Sequence, residues 1–521
     1  DYVLFGRNGK PLAVIEAKKT SVSAERGKHQ AELYADCLEV EYGVRPVIYY
    51  TNGFQTYIID RLGYPPRKIY SFHTEGDLER MIQKQGRPKI SDITVNDNIT
   101  DRYYQKMAIK AVCEHFNSMR RKALLVMATG TGKTRVSISL VEVLKRNSWI
   151  KNILFLADRN SLVTQAHKNF VKLLPGETTC VLNDNSTKDL SARIVFSTYQ
   201  TMINLIDTDE KGFSVGRFDL IIVDEAHRSI FGKYGAIFNY FDALLIGLTA
   251  TPREDIDKST YDLFEMEQGV PNYAYELQDA VTDGYLVNYT GYKRGSYILS
   301  NGIKYSELSS HDKKQLEKIW DYEKKMNWKP ALYTDQSYRD FYSSEMFTYI
   351  NNIDTVDKVL QDLMTHGLKV QCGELIGKTI IFAQRHEHAM IIKKRFDILY
   401  PNYDGLCEVI DNQNPYAQDY IDKFSNRDSG LQIAISVDML DTGIDVPDIL
   451  NLVIFKPVRS KIKFTQMIGR GTRLSPGIFG NKDKERFFVF DWCCNLEYFE
   501  VNRSTCEPQS TASLTERIFS V

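Results

Sequence analysis

Hydrophobic positions recur along this chain in two rhythms. Over roughly the first 95 residues, short apolar runs alternate with polar turns. VLFG and PLAVIEAKK flank the Asn-Gly turn of RNGK, and RPVIYYTN and FQTYIID follow. Between them, RGKHQAELYADCLEVEYG carries a helical pattern. The pattern predicts a small domain of strands around one helix, left through Pro/Gly/Arg-containing stretches near 63–68 and 85–89. From about residue 100 to 290 the runs become nearly continuous: ALLVMA (123–128), NILFLAD (152–158), RIVFSTY (193–199), DLIIVDEAH (219–227) and LLIGLTA (244–250). Such runs, separated by helical patterns, suit strands buried on both faces of a parallel sheet. The rhythm resumes in KTIIFA (378–383), LQIAISVDML (431–440), LNLVIFKP (450–457) and RFFVFDW (486–492). The expectation is an α/β chain: a domain over 1–95, α/β blocks over 96–290 and 376–500, and a polar, Tyr- and Lys-rich connector over 291–375. Residues 501–521 would begin a further region.

Composition narrows the class without choosing a function. The chain has 521 residues, enough for three or four domains at roughly 100–200 residues each. Hydrophobic residues make up 43% and charged residues 26%, which excludes a disordered tail, a collagen-like fibre and a disulfide miniprotein. The net charge is 66 − 67 = −1, so no global basic charge announces a nucleic-acid binder. Any such role must rest on local sites. No apolar run is long enough to span a membrane. DYVLFGRNGK is not a basic segment followed by an apolar one, so no signal peptide is expected. Eight cysteines without a CxxC spacing suit buried free thiols and a cytoplasmic location. The chain opens on Asp1 rather than Met and is treated as a fragment.

Residues 127–134 read MATGTGKT, after an apolar strand and before a helical pattern. Gly130 and Gly132 allow a tight turn whose backbone N–H groups face a phosphate, with Thr129 and Thr131 between and before them. Lys133 would reach the β- and γ-phosphates of ATP, and the Thr134 hydroxyl would coordinate Mg²⁺. Met127 replaces the glycine that usually opens this loop. Residues 224–227, DEAH, end the apolar run LIIV, at the sheet edge where ligands bind in open α/β folds. There Asp224 would hold Mg²⁺ and Glu225 would polarise the attacking water.

These motifs resemble the superfamily 2 helicase and translocase motors over residues ~100–500. Gln105, in RYYQKMAIKAV, matches the family's adenine-reading glutamine. LADRNSLVTQ (156–165) and STYQTM (197–202) resemble segments that contact a nucleic-acid backbone, and LTATP (248–252) the motif that couples hydrolysis to domain motion. SVDMLDTGIDVPD (436–448) and QMIGRGTR (466–473) resemble the last two motifs. The resemblance implies two RecA-like domains, with Gly443 and Asp445 at the ATP cleft, Arg470 and Arg473 as arginine fingers, and Gln466 beside them.

A second constellation lies at the start. Taking Asn8–Gly9 as central turn residues makes paired positions sum to 17. Phe5 then faces Leu12, Val3 faces Val14 and Asp1 faces Glu16, with Gly6 opposite Pro11. Alternation puts Asp1, Glu16 and Lys18 on one face, beyond an apolar row of Val3, Phe5, Leu12 and Val14. Two carboxylates suit a hard cation such as Mg²⁺, and a lysine beside them can stabilise hydroxide and phosphodiester charge. This D…EAK arrangement resembles the PD-(D/E)xK nucleases, whose usual preceding helix has no counterpart before Asp1. Gln30 and Tyr34, an i, i+4 pair, resemble the QxxxY element of RecB-like nucleases and type I restriction subunits. By contrast His386 and His388 lack a third ligand and are expected to flank a strand-to-helix loop. Asp158–Arg159 is expected to be structural or to face a DNA backbone. The lysine-rich run 311–329 is expected to be a solvated helix face.

A nuclease hairpin followed by a DEAH motor resembles the restriction subunit of type I restriction–modification enzymes, as do IEAKKT and AYELQDAVTDGYLVNY (274–289). That implies ATP-driven translocation of double-stranded DNA, Mg²⁺-dependent cleavage, and assembly with methylation and specificity subunits. It also implies a C-terminal helical region largely absent here. Two alternatives are a stand-alone superfamily 2 helicase or type III-like restriction subunit, and a non-catalytic DNA-binding assembly module with a relic nuclease fold.

Overall fold

The computed structural model describes residues 1–182, 189–207, 212–226, 234–294, 353–441, 446–458 and 460–501. Gly443, Asp445, His227 and the lysine-rich run 311–329 lie outside the described residues. Two compact units emerge, Asp1–Ala280 and Val281–Val521.

The first unit opens with five strands: β1 (Tyr2–Phe5), β2 (Pro11–Ala17), β3 (Val47–Thr51), β4 (Thr56–Ile59) and β5 (Arg67–Ile69), in the spatial order of their numbers. Helix α1 (Lys28–Tyr42) joins β2 to β3, which is why those two run parallel while the other pairs are antiparallel. The helix stops at Gly43, whose φ of 69° is left-handed, and the Gly43 N–H donates to the Glu39 carbonyl at 2.9 Å. On one face of the sheet Val14 and Ile48 pack against Ala31 and Ala35 of α1. On the other, Leu12, Ala13, Val47 and Tyr49 pack against Leu78 of α2 (Glu75–Lys84).

The hairpin departs from the expected geometry in two places. Gly9 (φ 73°) closes a turn in which its N–H donates to the Gly6 carbonyl, and Gly6 then pairs with Lys10. The loop is therefore one residue longer than two, and Phe5 pairs with Pro11 rather than Leu12. A bulge between Leu4 and Phe5 restores the expected register, so Leu4 faces Ala13, Val3 faces Val14 and Tyr2 faces Ile15. The bulge also turns Leu12 onto the face of Ala13, away from Val14, so the expected single apolar row does not form. Tyr2, Val3, Leu4 and Phe5 are all exposed.

The remainder of the unit is a seven-stranded sheet. Its strands are β6 (Lys122–Met127), β7 (Ile153–Ala157), β8 (Thr179–Leu182), β9 (Ile194–Thr198), β10 (Leu220–Asp224), β11 (Leu244–Thr249) and β12 (Tyr273–Tyr275). The order is β12-β6-β11-β10-β7-β9-β8, with every pairing parallel. Their continuous apolar runs are buried throughout, as strands covered by helices on both faces require. Helix α3 (Tyr103–Asn117) precedes β6, and α4 (Lys133–Arg146) follows it.

The second unit holds β13 (Asn288–Lys293), a short β14/β15 ribbon (Lys369–Val370, Leu375–Ile376), β16 (Lys378–Phe382), β17 (Cys407–Ile410), β18 (Ile433–Ser436), β19 (Ile449–Ile454) and β20 (Arg486–Asp491). Its six-stranded parallel sheet has the order β13-β20-β19-β16-β18-β17. Two segments differ from the expected organisation. Strand β13, placed by the sequence across the boundary at 290, pairs with β20. Helix Ile353–His366, expected in the connector, buries Val356, Val359, Leu360 and Leu363 in the second core. Among the described residues no helix is long and apolar enough to cross a membrane, and the described cysteines are free thiols.

His386 and His388 lie where expected, at the start of the helix that follows β16. His386 pairs with Asp411 at 2.5 Å. His388 is buried, its Nδ1 accepts from the Gln384 N–H at 3.2 Å, and burial pushes its pKa down to about 4 from an ordinary 6.5. Protonation thus favours the unfolded chain, whose histidine takes up a proton first. The stability this neutral ring supports is present above pH 6.5 and lost as pH falls towards 4. At 1.36 kcal/mol per pKa unit the effect is about 3 kcal/mol. In denaturant titrations between pH 7 and 4, His388→Asn should flatten the acid loss for this unit; an unchanged slope would refute the assignment.

Candidate active sites

The phosphate-loop candidate sits at the carboxyl ends of β6, β11 and β10. After β6 the chain curls so that the Thr131 N–H and hydroxyl both donate to the Ala128 carbonyl, at 3.2 and 2.7 Å. Gly130 (φ 96°) and Gly132 (φ 87°) take left-handed backbone there, and Gly132 caps α4. A Cβ on Gly132 would lie 2.4 Å from Gln105 Nε2. Gln105, buried on α3, donates to the Thr131 carbonyl at 2.7 Å and accepts from the Thr100 hydroxyl at 2.5 Å. The glutamine therefore braces the loop, with Thr129 at the loop's start and Thr134 in the first turn of α4. Lys133 donates to the Met127 carbonyl at 3.3 Å.

Two strands from β6, with β11 between, Asp224 ends β10, paired with Leu248 of β11. Burial, then the adjacent Glu225 charge, push its pKa up to about 6, while Lys133 pulls it down. Lys133 and Asp224 are thus electrostatic neighbours although they lie far apart in sequence. Glu225 is nearly buried at φ 54°, a backbone strain of the kind kept at functional sites. The sequence reading did not find the aromatic support here. Tyr104 donates to the Thr131 carbonyl at 2.9 Å and stacks on Tyr275 at 3.9 Å. Two tyrosines far apart in sequence give no local signal.

The carboxylate–lysine candidate is joined by one continuous hydrogen-bonded chain. Lys18 Nζ donates to Glu16 Oε1 at 2.5 Å and to Gln30 Oε1 at 2.9 Å. Gln30 Nε2 donates to the Tyr34 hydroxyl at 2.6 Å, which donates to Asp1 Oδ2 at 3.4 Å. The structure thus brings together all five residues singled out from the sequence. Glu16 is 1% exposed and its Oε2 is buried without a hydrogen-bond partner. Such an orphaned carboxylate oxygen fits the donor set of a hard cation. Gly27, just before α1, permits the approach: a Cβ there would lie 2.8 Å from Glu16 Cγ and 3.5 Å from Lys18 Cε.

In the second unit, Gln466 lies near the end of helix Lys461–Ile468, and both Gln466 and Arg470 are buried. Arg470 Nε donates to the Gln466 carbonyl at 3.3 Å. Gly471 lets this turn press on β20, since a Cβ would meet the Phe487 ring at 2.3 Å, and the Val287 N–H donates to the Thr472 carbonyl at 2.8 Å. Arg473 follows, partly exposed.

Residues 98–254 match the family model described as "Type III restriction enzyme, res subunit", and 355–475 match "Helicase conserved C-terminal domain". The chain is 27% identical to the EcoKI type I restriction enzyme endonuclease subunit of Escherichia coli K12, over 94% of this chain and 47% of that protein. It is 28% identical to the EcoAI endonuclease subunit of Escherichia coli, over 99% and 62% respectively. The chain is a relative of type I restriction subunits. This restriction-subunit relative spans about half the length of the curated proteins it matches, 47% and 62% of the two above. Its fold is shared with the HsdR fragment structure from Vibrio vulnificus YJ016, at a TM-score of 0.55 and 24% identity, covering 98% of this chain and 85% of that one. The Type ISP restriction-modification enzyme LlaBIII bound to DNA shares it at a TM-score of 0.51 and 17% identity, over 75% and 27%. The parallel sheets of the restriction-subunit relative are RecA-like helicase domains.

Proposed function

We propose that this chain is the cytoplasmic, ATP-dependent double-stranded DNA translocase and endonuclease portion of a type I restriction subunit, acting with methylation and specificity subunits. The observation that carries the reading is the coexistence, in the first unit, of a continuous Asp1–Tyr34–Gln30–Lys18–Glu16 chain with a glycine loop whose Lys133 is the electrostatic neighbour of Asp224. The names of its relatives support the same assignment.

In this reading Gly130, Thr131 and Gly132 offer backbone N–H groups to phosphates, and Lys133 neutralises their charge. Thr134 and Asp224 would hold Mg²⁺, which supplies charge neutralisation to the phosphates when bound. Glu225 orients and deprotonates water. Arg470 and Arg473 place positive charge where negative charge develops. At the other site Asp1 and Glu16 would hold Mg²⁺, which there lowers the pKa of water and neutralises the scissile phosphate. Lys18 stabilises the attacking hydroxide, and Gln30 and Tyr34 fix the positions of Lys18 and Asp1.

The reading predicts ATP hydrolysis stimulated by duplex DNA. Stimulation by linear duplex and closed circles, and little by single strands, would support translocation; no stimulation by any DNA would refute it. In the same assay Arg470→Ala should keep nucleotide affinity while hydrolysis falls by roughly 10³-fold, the lower range for an arginine finger. Unchanged hydrolysis would place the finger elsewhere.

A further inference from the structure

The five-stranded domain meets the seven-stranded sheet at the amino-terminal ends of its strands, opposite the phosphate loop. Arg121 immediately precedes β6, Asp219 immediately precedes β10, and Asp242 lies just before β11. Arg67 of β5 reaches across with Nε and Nη2, each 2.7 Å from an Asp242 oxygen, and Nη2 also meets Asp60 at 2.6 Å. Arg121 donates to the same Asp242 at 2.7 Å. Lys84 pairs with Asp219, and Arg80 binds Asp77 at 2.5 Å and the Gly216 carbonyl at 2.9 Å. None of these groups belongs to either candidate active site.

The junction lines a half-open cavity of about 50 Å³. One water needs roughly 10–15 Å³ by the same measure, so the space suits one tetrahedral ion and no nucleoside. Five lysine and arginine side chains line it against three aspartates. The guanidinium groups of Arg67, Arg87 and Arg121 lie 5.8, 5.9 and 4.9 Å from the centre of the Tyr64 ring. Arg87 meets no carboxylate among the described residues. It donates to the Tyr64 hydroxyl at 2.9 Å and the Trp149 carbonyl at 3.4 Å, and lies 3.9 Å over the Trp149 ring.

One buried donor lining this junction has no hydrogen-bond partner among the described residues: Arg67 Nη1. His73 is 6% exposed, and its Nδ1 shares a 2.8 Å hydrogen bond with the Tyr49 hydroxyl. Its Nε2 lies 3.5 Å from Asp242 Oδ2, so His73 joins the carboxylate that Arg67 and Arg121 already hold. Burial, and next the charge of Arg67, depress the pKa of Arg121. A buried donor left unpaired is unfavourable, so an acceptor supplied there is stabilising. Guanidinium groups match the geometry of tetrahedral oxyanions.

We propose that this junction binds one small oxyanion of the phosphate or sulfate class, received by Arg87 and Arg67 Nη1, which ties the two domains of the first unit together. The test is thermal unfolding in inorganic phosphate against chloride at equal ionic strength, with Lys133→Ala throughout to weaken the phosphate loop. Saturating phosphate should raise the first transition by about 5 °C. Adding Arg87→Met should remove most of that rise while preserving the packing on Trp149; Arg87→Lys, which keeps the charge but loses the fork, should fall between. No rise, or equal rises in the Lys133→Ala protein and both double variants, would overturn the proposal. A short DNA duplex added at saturating phosphate should leave the rise intact. If duplex abolishes it, the site reads a backbone phosphate and the free-ion assignment fails.

Discussion

Lys133→Ala is expected to bring DNA-stimulated ATP hydrolysis to background, a fall of at least about 10³-fold. Lys133 is the first residue of α4, projecting from a loop whose glycines hold left-handed backbone. It lies close enough to Asp224 to lower that carboxyl against burial and the Glu225 charge. Without it, the transferring phosphoryl group loses a fixed positive charge, and one well-placed donor is already worth roughly 10²–10³ in rate. The fold should survive, because Gly132 rather than Lys133 makes the turn and Lys133 is only partly buried. Phosphate release measured on linear duplex decides the matter, and hydrolysis at the wild-type rate would sink the motor assignment.

Glu16→Ala should abolish DNA cleavage in the assembled complex and leave DNA-stimulated ATP hydrolysis at the wild-type rate. Glu16 is the only one of the five joined residues that is fully buried, and its Oε2 has no hydrogen-bond partner among the described residues. Removing it leaves Lys18 still held by Gln30 at 2.9 Å, so the lysine stays in place while the carboxylate is lost. Lys18→Ala should give the same separation by losing the cation instead. Nicking of closed circular DNA, scored beside ATP turnover, reads both activities. Equal cleavage by wild type and Glu16→Ala would remove the nuclease reading and leave the motor untouched.

Local chemistry was the legible part of the sequence. A strand, a glycine turn and a helix in succession announced the loop at Thr129–Thr134. The i, i+4 spacing of Gln30 and Tyr34 placed both on the helix side that meets Lys18 and Asp1. The register at Val3–Val14 also followed from the turn, although the path to it did not. A period-2 pattern cannot reveal that one extra turn residue and one bulge offset each other, because both leave the later pairing unchanged. The face of Leu12 was misassigned for that reason. The membership of β13 was hidden differently: its partner β20 lies almost two hundred residues away, and no local pattern encodes a pairing of that span. Asp242 was unreadable because its meaning depends on Arg67 and Arg121 arriving from two other segments.

The grip on the strand roots has a mechanical consequence. Arg121, Asp219 and Asp242 anchor β6, β10 and β11 at one end, and the phosphate loop, Asp224 and Thr249 stand at the other. At about 3.3 Å per residue, a five-residue strand such as β10 is a strut some 17 Å long. Hydrogen-bonded on both sides, it resists compression far better than a loop. A displacement at the Asp224 end of the strand therefore has a short, stiff path to the domain that carries Glu16, through the ion pairs at the strand roots.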